Sequence, residues 1–107
     1  RWDDRHVAQD LALDLDAIAR VCERYGVERL RLFGSALSDG FDPAHSDVDL
    51  LIDYHEGIRR TFRDYFALKD ELEEIIGHPV DLVQSRNLRN PYIAHTVFST
   101  ARDIYAA

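Results

Sequence analysis

The spacing of apolar residues changes period early in this chain, and that change restricts the folds open to it. Val7, Leu11, Leu15, Ile18, Cys22 and Tyr25 recur at steps of three and four, the signature of one face of an amphipathic helix, and Gly26 is placed to end it. Directly afterwards Leu30 and Leu32 alternate with Arg29 and Arg31 over Val27–Phe33, the two-residue period of a strand with unlike faces. The alternation of periods then repeats. Residues 47–53 read as a second strand. Ile58, Phe62, Tyr65, Leu68, Leu72 and Ile75 make a second helical stripe, with Gly77 and Pro79 where a helix should stop. Residues 80–83 read as a third strand, and Asn90 and Pro91 supply an N-cap and first-turn pair for a last helix carrying Tyr92, Ile93, Val97 and Phe98. Ile104 and Tyr105 are positioned for a short edge strand. Helices alternating with strands, with no internal repeat or Pro/Gly-rich linker, predict one α/β layer structure. Its 107 residues fit a single domain, 1–107, with one core and no separate substrate domain.

Charge and composition narrow the functions. Twenty acidic against thirteen basic residues give a formal net charge of -7, which repels a phosphate backbone at long range and disfavours nucleic-acid binding by the chain alone. The same field suits a basic protein partner or divalent cations at a carboxylate cluster. No long apolar stretch, targeting segment or lipidation signal is visible, so the expectation is a soluble cytoplasmic protein without membrane contact. The lone Cys22 lies on the first helical stripe and reads as a buried thiol rather than a disulfide, zinc ligand or nucleophile.

Three acidic residues stand out because they sit in β-like runs. Asp47 and Asp49, two apart in Asp47-Val48-Asp49-Leu50-Leu51-Ile52, would project from one strand face roughly 7 Å apart. An ordinary half-exposed strand has the same alternation. Yet Asp is disfavoured in strands and like charges on one face repel, so the pairing calls for compensation, which a divalent cation provides. Asp81, inside Pro79-Val80-Asp81-Leu82-Val83, repeats the oddity on another strand, although a strand-end turn residue is an equally good account of it. Two or three carboxylates completed by triphosphate oxygens would suit magnesium. Gly34-Ser35 follows a strand and is placed to open a short helix, where free N–H groups favour an anion. By itself a Gly-Ser pair is a common turn.

The order is more discriminating: strand, Gly-Ser, a turn-rich loop, Asp-x-Asp on a strand, then a lone Asp on a third. In Leu32-Phe33-Gly34-Ser35 and Ser46-Asp47-Val48-Asp49-Leu50-Leu51-Ile52 the chain resembles the polymerase-beta-like nucleotidyltransferases, and most of all their minimal (MNT) branch. The likeness extends from the leading helix to Ile104-Tyr105. It implies a nucleotidyltransferase fold with an αβαβαβ core and a mixed three-stranded sheet. It further implies that Gly34 and Ser35 grip the triphosphate of ATP, and that Asp47, Asp49 and Asp81 are the catalytic carboxylates and hold Mg2+, Asp81 nearest the incoming nucleophile. Free-standing members of the branch resemble antitoxins that silence a HEPN ribonuclease toxin by transferring AMP to a tyrosine, which implies a HEPN-type toxin as partner in a hetero-oligomer. Two other readings stay open: neutralisation of the toxin by binding alone, and transfer to a small molecule.

Two features depart from the family pattern. Residues 36–46 form a loop one residue longer than usual, and Ala36, Leu37, Ser38 and Asp39 stand where an Arg is common. The five histidines lack a repeated spacing suited to zinc. Glu71, Glu73 and Glu74 read as a solvated helical face, and Arg86 and Arg89 as possible contacts to nucleotide or partner.

Overall fold

The computed structural model describes residues 13–34, 47–57 and 61–107. Along the chain these form α1 (Leu15–Arg24), β1 (Val27–Phe33), β2 (Val48–Tyr54), α2 (Phe62–Ile76), β3 (Val80–Gln84), a 3-10 turn at Ser85–Asn87, α3 (Pro91–Thr100) and β4 (Arg102–Ala106). The four strands make one mixed sheet in the order β3-β2-β1-β4. β1 runs antiparallel to both neighbours, and β2 pairs parallel with β3. The edge strand expected at Ile104 and Tyr105 is β4, which widens the expected three-stranded core to four. The helix expected after Gly34-Ser35 falls on residues 35–46, outside those described, as do Val7, Leu11 and Ile58 of the two helical stripes.

Local chemistry sets the helix ends. Asp14 caps α1 by accepting from the Ala17 N–H at 3.1 Å. Thr61 and Asp64 form a reciprocal capping box at the start of α2, and Gly77 ends that helix in the left-handed region. Asn90 caps α3 ahead of Pro91, as its sequence predicts.

One face of the sheet is covered by α1 and α2. Ile18, Cys22, Leu68, Leu72 and Ile76 from the helices close on Leu30, Leu32, Val48, Leu50, Ile52, Val80, Leu82 and Ile104 from the strands. Burial pushes the Cys22 thiol up to about 12, as the reading of a buried thiol expects. Glu71 ties the two helices, accepting from both Arg24 and the Tyr25 hydroxyl.

The opposite face is not left to solvent either. Leu51 is fully buried there, Val97 of α3 is nearly so, and the Phe98 ring lies 5.4 Å from the Arg31 guanidinium. Arg31, expected on a polar face, is only 8% exposed. Its charge is met by Asp53 at 3.0 Å, and Asp53 also accepts from the Ser85 hydroxyl. α3 therefore caps the β1 side of a face whose β2 and β3 side carries acids. Among the described residues no helix is long and apolar enough to cross a membrane.

Candidate active site

The acids of β2 and of its edge-strand neighbour β3 meet through register. β2 and β3 pair parallel with Asp49 opposite Asp81, so both side chains leave the same face at neighbouring positions about 5 Å apart. Val48, Leu50, Val80 and Leu82 point into the core while Asp49 and Asp81 point away from it, which is the alternation the sequence carries. Asp47 lies just before β2, exposed, and adds its charge to the same end. Asp49 is the most enclosed of the three. Its carboxyl is raised above the usual range, first by burial and then by the neighbouring Asp81 and Asp47 carboxylates.

Two hydrogen bonds fix the strand starts that carry these acids. The Val48 N–H donates to the Pro79 carbonyl at 2.8 Å. The Val80 N–H donates to the Glu73 carboxylate, also at 2.8 Å, and Glu73 is held in turn by Lys69 at 2.8 Å. Glu73 is thus a tether between the end of α2 and the start of β3, not simply part of a solvated face. Sequence reasoning missed it. The available signal was the Lys69/Glu73 spacing of one helical turn just before the Gly77-Pro79 stop.

Gly34 sits at the other side of Asp49. Phe33 is the cross-strand partner of Asp49, and a Cβ built on Gly34 would stand 2.5 Å from Asp49 Oδ2. With φ at 75°, the position rejects a side chain on two grounds. The glycine therefore lets main chain approach the carboxylate closely. Ser35, its expected partner in binding phosphate, lies outside the described residues. Arg86 does not join this group. It follows β3 at the end away from Asp81 and lines a cavity with Glu28, Asp53, His55 and Glu56.

Among the described residues no three His, Cys, Asp or Glu side chains are gathered closely enough to hold a metal ion by themselves. The donor set nevertheless fits a hard cation. Asp49 and Asp81 offer carboxylate oxygens side by side, and Asp49 is raised first by burial and then by the charge of Asp81. Magnesium keeps several waters and takes substrate oxygens, so it needs only such a partial set. The arrangement can hold a cation against a phosphate chain next to an open main-chain position.

Comparison with known proteins gives the fold a family. Residues 16–107 match the family described as polymerase beta, nucleotidyltransferase. The protein adenylyltransferase MntA of Thermococcus cleftensis is 37% identical over 75 residues, 70% of this chain and 72% of that protein. A structure assigned to a minimal nucleotidyltransferase superposes with a TM-score of 0.64 at 38% identity, covering 81% of this chain and 85% of the other. A complex of a tri-AMPylated Shewanella oneidensis HEPN toxin with its MNT antitoxin matches with a TM-score of 0.58 at 17% identity, over 87% of this chain and 70% of that one. The last shares the fold.

Proposed function

The chain belongs to the polymerase beta nucleotidyltransferase family, and from that premise we propose that it transfers AMP from ATP to a tyrosine of a HEPN-type toxin, as a cytoplasmic antitoxin. It is a nucleotidyltransferase. The observation that carries the proposal is the row in which Gly34 abuts Asp49 and Asp49 stands in register with Asp81.

In this reading Asp49 and Asp81, joined by Asp47 at the same end of β2 and completed by phosphate oxygens and water, would hold Mg2+, which when bound would draw off charge from the phosphate oxygens and the leaving pyrophosphate. Gly34 opens the main chain to the triphosphate, and Ser35 adds a hydroxyl donor beside it. Asp81, on the outermost of the three strands, faces the acceptor and orients or deprotonates its hydroxyl. The acceptor oxygen bonds to the α-phosphorus, the bond to the β-phosphate oxygen breaks, and pyrophosphate leaves. The partial burial of Asp49 keeps its charge poorly screened, which strengthens its hold on a cation.

A second reading, neutralisation by binding alone, is favoured by Asp39 and the lack of an Arg after Ser35, which leave the triphosphate less well neutralised. The two separate cleanly. The chain is co-expressed with its presumed helical partner, and the partner is weighed intact with and without ATP and Mg2+. A gain of about 329 Da or its multiples, lost in Asp47→Asn/Asp49→Asn, is the expected outcome of metal-assisted transfer. A stable complex with no gain in mass selects binding alone.

A further inference from the structure

The acids occupy the β2 and β3 half of one sheet face, and beside them on the same face lies a cavity that they do not line. It measures 310 Å3 and is bounded by Phe33, Gly34, Thr96, Val97 and Thr100, between the end of β1 and the second half of α3. The register sets its relation to the acids. Phe33 is paired with Asp49 and Asp49 with Asp81, so cavity, Asp49 and Asp81 follow one another across the strands in steps of about 5 Å. With the acceptor on the Asp81 side, the cavity is the place left for the other end of the donor.

We propose that this cavity seats the nucleoside of the nucleoside triphosphate, and that Thr96 and Thr100 determine which nucleoside it accepts. The inference rests on the nucleotidyltransferase reading above and assigns a part of the substrate that neither the carboxylates nor Gly34 can select. Its size lies at the low end of small-ligand pockets, about 300–1,000 Å3. Its lining suits a flat base: Phe33 is partly buried and Val97 is 8% exposed, offering an aromatic and an aliphatic surface. No cationic side chain lines it among the described residues, so the charged phosphates belong outside it, toward Gly34 and the acids.

The two threonines give the cavity a polarity. The Thr96 hydroxyl donates to the Tyr92 carbonyl at 3.1 Å and the Thr100 hydroxyl to the Thr96 carbonyl at 2.8 Å. A hydroxyl has one proton, and in both cases it is committed to the helix backbone. What each oxygen has left to offer is a lone pair. The cavity therefore selects a nucleoside that presents hydrogen-bond donors, which are the ribose hydroxyls or an exocyclic amine such as that of adenine.

The test is calorimetric titration of the full chain, with Mg2+, using ATP, 2′-deoxy-ATP, purine riboside triphosphate, which lacks the amine, and inorganic tripolyphosphate, which lacks the nucleoside. Both threonines are exposed, so substitutions there leave the core intact. Thr100→Trp, which fills the cavity, weakens ATP binding at least about tenfold and leaves tripolyphosphate within about twofold. Thr96→Val/Thr100→Val weakens ATP about fivefold, the loss of one or two hydrogen bonds. It also abolishes the wild-type preference over 2′-deoxy-ATP if the threonines read the ribose, or over the purine analogue if they read the amine. Thr100→Ser restores binding. ATP affinity unchanged in Thr100→Trp, with wild type binding both ATP and tripolyphosphate, overturns the cavity assignment alone. Failure of wild type to bind either compound overturns the nucleotide reading and this assignment with it.

Discussion

At Gly34 two constraints fall on one Cα: a φ of 75° that L side chains rarely adopt, and an Asp49 oxygen 2.5 Å from where a Cβ would stand. Gly34→Ala should therefore destabilise the fold by about 1–3 kcal/mol in urea denaturation and weaken ATP binding in the same protein. Unaltered values for both would remove Gly34 from the site. Asp49 poses the opposite case, a residue whose native form costs stability. Its carboxyl is raised in the folded chain, first by burial and then by Asp81 and Asp47, so between the ordinary carboxylate range and that raised value the folded state binds more protons than the unfolded one. Stability without metal falls as pH rises through that window, and above it the loss is complete. Asp49→Asn should accordingly melt higher than wild type in chelator at neutral pH while losing transfer, and Mg2+ should raise the melting temperature of wild type more than that of the variant. A variant that melts lower in chelator would mean that Asp49 supports the fold. The three acids were legible in the sequence because Asp inside a β-like run is a local anomaly. Thr96 and Thr100 were not, since one-turn spacing on a helix says nothing about the cavity it borders.

Elements meet at the site through a few specified contacts, of which Glu73 is the most consequential. It joins the last turn of α2 to the first residue of β3 by accepting from the buried Val80 N–H. Glu73→Ala leaves that donor without its partner, which costs about 1–3 kcal/mol, and frees the strand start that carries Asp81. Lower transfer with near-normal ATP affinity is expected, because Asp81 serves the acceptor side. The contact also has a pH signature. Lys69 first, and then the Val80 N–H, hold the Glu73 carboxyl below its usual range. Its contribution is present above the ordinary Glu value and is lost as pH falls through the depressed one, so wild type and Glu73→Ala should converge in stability at acid pH. Helix limits were legible because caps are local chemistry: Gly77, Asn90 and Pro91 each mark an end that the structure uses. The Thr61 capping box was available to the same reasoning and went unread.

For the whole molecule the decisive fact is that the sheet is covered on both faces, unequally. α1 and α2 cover one face with an apolar core, while α3 covers part of the other through Val97 and the Phe98 ring over Arg31. Arg31 and Asp53 couple that second layer to β1 and β2. Arg31→Met keeps the side-chain stem but removes the charge, leaving Asp53 to the Ser85 hydroxyl. The pair is half-buried, so the cost should be on the order of 2 kcal/mol, below that of a fully buried pair. Amide exchange should accelerate in Pro91–Thr100 ahead of α2. Uniform acceleration across the protein would show that α3 depends on the global fold and not on this contact.

What the sequence determined by itself was everything set by near neighbours: the helical and strand periods, the helix stops, the buried Cys22, and the order of Gly34, Asp47, Asp49 and Asp81. Periodicity and turn chemistry act over a few residues, so they can be read along the chain. The tertiary structure decided what lies across from what. Parallel pairing put Asp81 opposite Asp49, the β1–β2 register brought Gly34 against the Asp49 carboxylate, and the path of α3 turned Arg31 from a surface charge into a buried one. None of these follows from spacing, because register and burial depend on residues that are distant in sequence and brought together only when the sheet forms.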